Sequence, residues 1–335
     1  MIYLFAILIV INLFILKFNK NVSKLIDIYD EPDKKIKLHF SKTPLLGGPI
    51  IYLNIIILFL FFSINVNKNA NIFLNEVNIY GFDLILFFLI SSCFFFIGVY
   101  DDKFKINPTK KIIYFIIFLF LLVFLDNGLL LQKINIFQKI LNIDTEIISI
   151  CFTIFCFLAF INAFNFFDGI NLQVGLYSIF IILIFISKNI FLIFWISLLL
   201  SIFFYLILNF KNKIFLGDSG SLFLSFIFSY FFIFYHNKFN IFSADEIFLI
   251  MIVPGLDMVR LFIQRLISKK NPLYGDRQHI HHLISKKFKN TIVPFITVTL
   301  CSFPYLMYLI FESSLIIIII SIIVYTLIFL KLKNI

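Results

Sequence analysis

Apolar runs long enough to cross a lipid bilayer recur from one end of this chain to the other, and no water-soluble fold accommodates them. A hydrocarbon core of about 30 Å needs roughly 20 apolar residues per helix, and helices are how such runs satisfy their own backbone in lipid. About eleven candidate spans can be placed, near 2–18, 44–64, 82–99, 112–125, 147–162, 172–187, 190–208, 221–236, 246–267, 291–311 and 314–330. Two of them, 112–125 and 172–187, fall short of a full crossing. The first has no basic leader and no small-residue cleavage site, so it is expected to stay as a helix. Composition agrees: 61% of the 335 residues are hydrophobic, where a soluble domain holds about half. The expected fold class is an all-α polytopic membrane protein of about 11 transmembrane helices.

Charge sets the orientation. Of the 28 Lys and Arg residues, only Lys68, Lys133, Lys139, Lys188 and Lys238 fall in one set of alternating loops; the other 23 fall in the opposite set. Basic loops stay in the cytosol, which predicts an N-terminus outside and a cytosolic C-terminus. The net charge of +10 is no sign of nucleic acid, because the basic residues sit in short segments between apolar runs with little aromatic interleaving. Cys93, Cys151, Cys156 and Cys301 all lie inside apolar stretches without metal-site spacing and read as inert thiols. With no internal repeat and no soluble portion, residues 1–335 are expected to form a single integral membrane domain. Its cytosolic segments are 19–43, 101–111, 163–171, 209–220 and 268–290.

Those cytosolic segments hold the polar chemistry. Asp101 and Asp102 end the third span as adjacent carboxylates. An Asp at the centre of a membrane helix costs about 2.5–3.5 kcal/mol, a cost that a divalent cation or a lysine would offset; a solvated helix end is the alternative. After the fifth span, Asn162, Asn165 and Asp168 recur every three residues and are followed by Gly169. They suit a nucleotide edge or a cation, or else a helix C-terminus with polar caps closed by a glycine turn. Phe215-Leu216-Gly217-Asp218-Ser219-Gly220-Ser221 opens the eighth span. Free N–H groups at a helix start suit phosphate and a carboxylate suits Mg²⁺; an N-cap in a glycine-rich turn is the structural reading. Asp276-Arg277-Gln278-His279-Ile280-His281-His282 follows the ninth span and holds three of the five histidines. It lacks a Cys partner and the HExxH spacing of zinc sites, whereas imidazoles beside an arginine suit phosphate oxygens. Together these groups suit a Mg²⁺-dependent phosphoryl transfer at the bilayer surface.

The ordered set D-D, N-x-x-N-x-x-D-G, F-x-G-D-x-G-S and D-R-Q-H-I-H-H-L resembles the polyprenyl-phosphate N-acetylhexosamine-1-phosphate transferases of glycosyltransferase family 4. The likeness runs from Thr43-Pro44-Leu45-Leu46-Gly47-Gly48 to His282. Its histidine motif is similar to the bacterial undecaprenyl-phosphate GlcNAc-1-phosphate transferase branch, which starts O-antigen, lipopolysaccharide and cell-wall polymers. The resemblance implies a multi-pass enzyme of the bacterial inner membrane with its active site facing the cytosol. It would transfer a sugar 1-phosphate from a UDP-N-acetylhexosamine to undecaprenyl phosphate and release UMP, with Mg²⁺ as cofactor and Mn²⁺ as a substitute. By position, Asp218, Asp101 and Asp102 would serve the metal, and these with Asp168 the chemistry. Lys111, Asn162, Asn165, Asn209, Phe215, Arg277, His279, His281 and His282 would bind substrate, with His39 and Thr43 as weaker candidates. Membrane lipid and a homodimer are the other partners this implies; nucleic acid is not one.

One position departs from the family pattern D-G-x-D-G-L: here it reads Asp168-Gly169-Ile170-Asn171-Leu172-Gln173, with an amide for a carboxylate. A degenerate, non-catalytic relative therefore stands as one alternative, and a phospho-N-acetylmuramoyl-pentapeptide transferase-like enzyme is another. A transporter would need ionisable residues in mid-membrane and broken, repeated helices. The spans carry few such residues, with Asp83 and Asp257 read as lying near span ends.

Overall fold

The structure, a computed structural model, describes residues 2–32, 42–66, 81–273 and 276–333. Among them are thirteen α-helices: α1 (Ile2–Lys17), α2 (Asn19–Ile26), α3 (Gly47–Val66), α4 (Gly81–Phe104), α5 (Pro108–Leu125), α6 (Glu146–Phe166), α7 (Gln173–Ser187), α8 (Leu192–Phe210), α9 (Gly217–Phe239), α10 (Ala244–Ile267), α11 (Ile280–Ser285), α12 (Val293–Phe311) and α13 (Ser314–Lys333). Each predicted span coincides with a helix, and α2 and α11 are the two short additions. Eight helices are long and apolar enough to cross a membrane, or nine if α1 and α2, bent by 85° to each other, count as one span. The polytopic all-α class follows from these. Of the remainder, α7 is short and α10 carries Asp245, Glu246, Asp257, Arg260 and Arg265.

Local chemistry sets the helix ends. Asn107 caps α5 by accepting the Thr109 N–H, with Pro108 in the first position where its missing N–H costs nothing. Ser243 and Glu246 close a reciprocal capping box at the start of α10. Two small antiparallel pairs interrupt the helices: β1 (Tyr29–Asp30) with β2 (Thr43–Pro44), and β3 (Lys133–Ile136) with β4 (Lys139–Asn142). The second is a hairpin with no Asn-Gly signal, yet Phe137 and Gln138 both take positive φ (49° and 60°), as its tight turn requires.

By packing, the chain forms two compact units, Met1–Ile106 with Ser178–Leu224, and Asn107–Tyr177 with Ser225–Ile335. In the first unit, α1 and α3 are joined inside their apolar faces by Asn12 donating to Asn54 (2.7 Å). Tyr52 of α3 stacks on Phe95 of α4 with ring centroids 3.9 Å apart. In the second unit α10 packs against α6, α12 and α13. Pro254 lies inside α10 and cannot donate to the Ile250 carbonyl one turn back. The Tyr177 hydroxyl donates to that carbonyl instead, at 2.6 Å. The surfaces of α12 and α13 are rich in exposed apolar side chains such as Phe303, Ile310, Leu327 and Leu330, as a lipid-facing helix should be.

Candidate functional site

In the first unit the site grows from glycines. A Cβ on Gly98 of α4 would strike the backbone of Ser219, and one on Gly48 of α3 would strike Ser219 and Gly220. Backbone therefore meets backbone where α3, α4 and the start of α9 converge. Just before α9, the segment ending at Leu216 is fixed by Phe215 N–H donating to Pro44 (3.0 Å) and by Gly47 N–H donating to Phe215 (2.9 Å). Asn209 closes the preceding turn by donating to the Ile214 carbonyl at 2.8 Å. Its role here is to shape the turn that presents half-buried Phe215.

This packing brings the D-D and G-D-x-G motifs together. Asp102 accepts the Asp218 N–H at 2.8 Å and the Ser219 N–H at 3.0 Å, one on each carboxylate oxygen. The helix-start N–H groups expected to be free for phosphate are thus engaged by a carboxylate 116 residues away in sequence. Gly217 makes this approach feasible: its φ is +75°, and a Cβ there would lie 2.6 Å from Asp102 Oδ2. Asp101 faces another task, accepting the Ile106 N–H at 2.6 Å to close the end of α4. Asp218 is half-buried, and its charge lies close enough to repel that of Asp102.

Among the described residues no three His, Cys, Asp or Glu side chains gather as a complete metal site. Mg²⁺ is usually held by one or two carboxylates together with substrate phosphates and water. The like-charged Asp102–Asp218 pair fits that donor set.

In the second unit the histidine loop lies against the N-x-x-N-x-x-D-G segment. Asn162 and Asn165 belong to the last turns of α6; Asp168 follows, its N–H donating to the Asn165 carbonyl at 3.1 Å. Phe166 lies 5.8 Å from the His279 ring, and Phe167 meets His281 edge-on at 6.3 Å. The sequence lets Gly169 close a tight turn, but positive φ appears at Leu172 (71°), and among the described glycines only at Gly217. Its need is steric: a Cβ on Gly169 would collide with His281 Nε2. His281 is 1% exposed, and neither ring nitrogen has a hydrogen-bond partner among the described residues. Burial holds its pKa well below the usual histidine range, helped by neighbouring His282. Burial and the charge of Arg277 likewise push His282 down to about 4. Both rings are neutral at pH 7, so an anion there would meet N–H dipoles and not cations. Half-buried Lys111 stands in the first turn of α5, and Arg277 in the loop itself.

Sequence reasoning missed what holds this loop. Asp257, read as near a span end, lies buried in the middle of the 24-residue α10. Its Oδ2 meets His279 Nδ1 at 2.8 Å, while Oδ1 accepts the Ile280 N–H (3.1 Å), the Tyr325 hydroxyl (2.8 Å) and Arg260 Nη2 (2.8 Å). Arg260 donates to the Gln278 carbonyl at 2.6 Å. One turn on, Arg265 donates to Asp276 (3.0 Å) and to the Pro272 carbonyl (2.8 Å). Burial alone would raise the Asp276 pKa, but Arg265 and the Gln278 N–H hold it below the usual carboxylate value. An Asp–Arg pair at i,i+3 within an apolar helix was the available signal. His39 lies outside the described residues, whereas Thr43 is buried in β2.

Comparison with known proteins finds similarity to one family. The profile described as Glycosyl transferase family 4 matches residues 84–236. The undecaprenyl-phosphate alpha-N-acetylglucosaminyl 1-phosphate transferase of Escherichia coli K12 is 27% identical over 298 residues, covering 85% of this chain and 76% of that protein. The protein of the same name from Thermotoga maritima is 26% identical over 288 residues, covering 83% and 80%. The one from Salmonella typhi is 26% identical over 298 residues, covering 84% and 76%.

Proposed function

We propose that the chain belongs to glycosyl transferase family 4, whose profile it matches over residues 84–236, and that it transfers an N-acetylhexosamine 1-phosphate from a UDP-sugar to undecaprenyl phosphate. UDP-GlcNAc is the favoured donor, because the curated relatives are named for that sugar. The observation that carries the reading is the Asp102–Asp218 junction, a carboxylate pair suited to a cation brought in with a diphosphate. In the reaction an oxygen of the lipid phosphate attacks the sugar-bearing phosphorus. A new P–O bond forms there as the bond to the bridging oxygen breaks, UMP leaves with that oxygen, and the lipid carries the sugar diphosphate. The lipid phosphate is already ionised at neutral pH, so positioning and charge neutralisation are asked to supply most of the acceleration.

A bound Mg²⁺ would neutralise charge on the transferred diphosphate, and Asp218 with Asp102 would hold it. Phe215 offers a ring for the uracil, while Asn165 and Asp168 offer hydrogen bonds to the nucleoside. His279, His282, Arg277 and Lys111 offer N–H donors and charge to phosphate oxygens. Eleven crossings, N-terminus outside and C-terminus inside, would put all these segments at the cytosolic surface of the bacterial inner membrane, where the donor is found. There the surplus of Lys and Arg would concentrate anionic donor and lipid.

The test is a panel of UDP-sugars offered to purified protein with undecaprenyl phosphate and Mg²⁺. Release of UMP with formation of a lipid diphosphate sugar is expected, fastest with UDP-GlcNAc. Hydrolysis without lipid, or no UMP from any donor, would overturn the reading. Asn171 gives the degenerate alternative its one support, and the same assay separates the two.

A further inference from the structure

We propose that Asp257 is the positioning residue of the histidine loop: it fixes His279 by Nδ1 and so presents Nε2 to the phosphate groups of the bound donor. The inference rests on the reading of the loop as a phosphate binder. Asp257 lies in an apolar helix, where an ionised side chain is costly and marks function by default. Its carboxylate is saturated by four partners from three places: His279 and the Ile280 N–H in the loop, Arg260 one turn along α10, and Tyr325 on α13. Two of the four belong to the loop, so the carboxylate specifies loop geometry as well as its own solvation. Arg260 repeats the pattern, joining Asp257, Tyr325 (3.0 Å) and the Gln278 carbonyl. Gln264 adds a bond to the Gln278 side chain at 2.7 Å.

The consequence for His279 is chemical. With Nδ1 held against a carboxylate, Nδ1 carries the proton in the neutral ring and only Nε2 is left for a ligand. The doubly protonated ring, held in the same way, donates from Nε2 to an anion. A second carboxylate cannot replace this partner from the loop, because Asp276 is engaged by Arg265 and the Gln278 N–H. His281, stacked parallel to His279 at 5.4 Å, limits rotation of the ring on one side.

Two measurements on the full-length protein in nanodiscs test this. The first is ¹⁵N-histidine NMR, in which wild type should show a His279 Nδ1 proton hydrogen-bonded to a carboxylate, and Asp257→Asn should lose that signature. An unchanged His279 signal in Asp257→Asn overturns the inference whatever the activity. The second is a cycle of UMP-release rates with His279→Asn, whose amide retains a donor for Asp257 but lacks Nε2. In an otherwise wild-type chain, Asp257→Asn should lower kcat/KM at least about tenfold, the low end for losing an orienting partner. Added to His279→Asn, the same change should cost less than about twofold. Equal losses in both backgrounds mean a merely structural role and overturn the inference. If Asp257→Asn does not fold, Tyr325→Phe takes its place, with a smaller loss that should likewise vanish beside His279→Asn and equal losses again overturning it. Wild type that turns over no UDP-sugar would defeat the proposed function, while the NMR comparison would still decide the role of Asp257.

Discussion

The carboxylate junction and the histidine loop place polar groups in a membrane protein by opposite means. At the junction, side chains are removed: Gly48 and Gly98 let backbones touch, Gly217 admits the Asp102 carboxylate, and Asp102 is held by two N–H groups of the helix it meets. At the loop, side chains are added: Asp257, Arg260, Arg265 and Tyr325 reach out from apolar helices and hold the segment that leads into α11. The first design fixes geometry through sterics and tolerates no enlargement. The second fixes it through charge-assisted bonds and tolerates no loss of a partner.

Substitutions should expose that contrast, and the largest effect is expected at the junction. Gly98→Val puts two methyl groups into the Ser219 backbone and should cost about 3 kcal/mol or more, read as a collapse of thermal stability in detergent; a near-normal melt would mean the helices do not meet there. Next comes Gly169→Ala, the one place where the loop borrows the junction's method. It displaces a His281 side chain and not a backbone, so about 1–3 kcal/mol and a clear fall in turnover are expected. Asp102→Asn should lose about 1–2 kcal/mol, as a weakened helix cap does. A gain in stability instead would show that repulsion from Asp218 outweighs the cap.

The loop has a pH response of its own. His282 has a folded pKa near 4, below its unfolded value near 6.5. Between those values the unfolded chain binds the extra proton, so stability should fall as pH drops from about 6.5 towards 4. His282→Gln should flatten that slope, and an unchanged slope would remove the histidine from the account. Smallest of all is the control Gly255→Ala: a Cβ there meets nothing within 4 Å, so this mid-helix change should be neutral or stabilising by about 0.5–1 kcal/mol.

How much of this could be read beforehand follows the same division. The helices were legible because apolar runs report them directly, and the junction's parts were legible because D-D and G-D-x-G are contiguous. Their relation was not: that Asp102 caps the Asp218 helix depends on a contact across 116 residues, and helix-start N–H groups look free until that contact is known. The loop's histidines announced themselves by clustering, but their support did not. Asp257 and Tyr325 are single polar residues in separate apolar runs, 68 positions apart, and neither forms a motif. The β3–β4 hairpin escaped for a simpler reason, since Phe137 and Gln138 are unusual residues for a left-handed turn.

The central claim is a division of labour, with the junction serving the cation and the loop serving the diphosphate. It is tested most directly by UMP release titrated with Mg²⁺ for wild type, Asp218→Asn and Asp257→Asn. The account predicts that Asp218→Asn abolishes Mg²⁺-dependent turnover or moves its midpoint to far higher Mg²⁺, while Asp257→Asn lowers the rate and leaves the Mg²⁺ midpoint where it was. Near-normal Mg²⁺ dependence in Asp218→Asn, or the same midpoint shift in both variants, would contradict it.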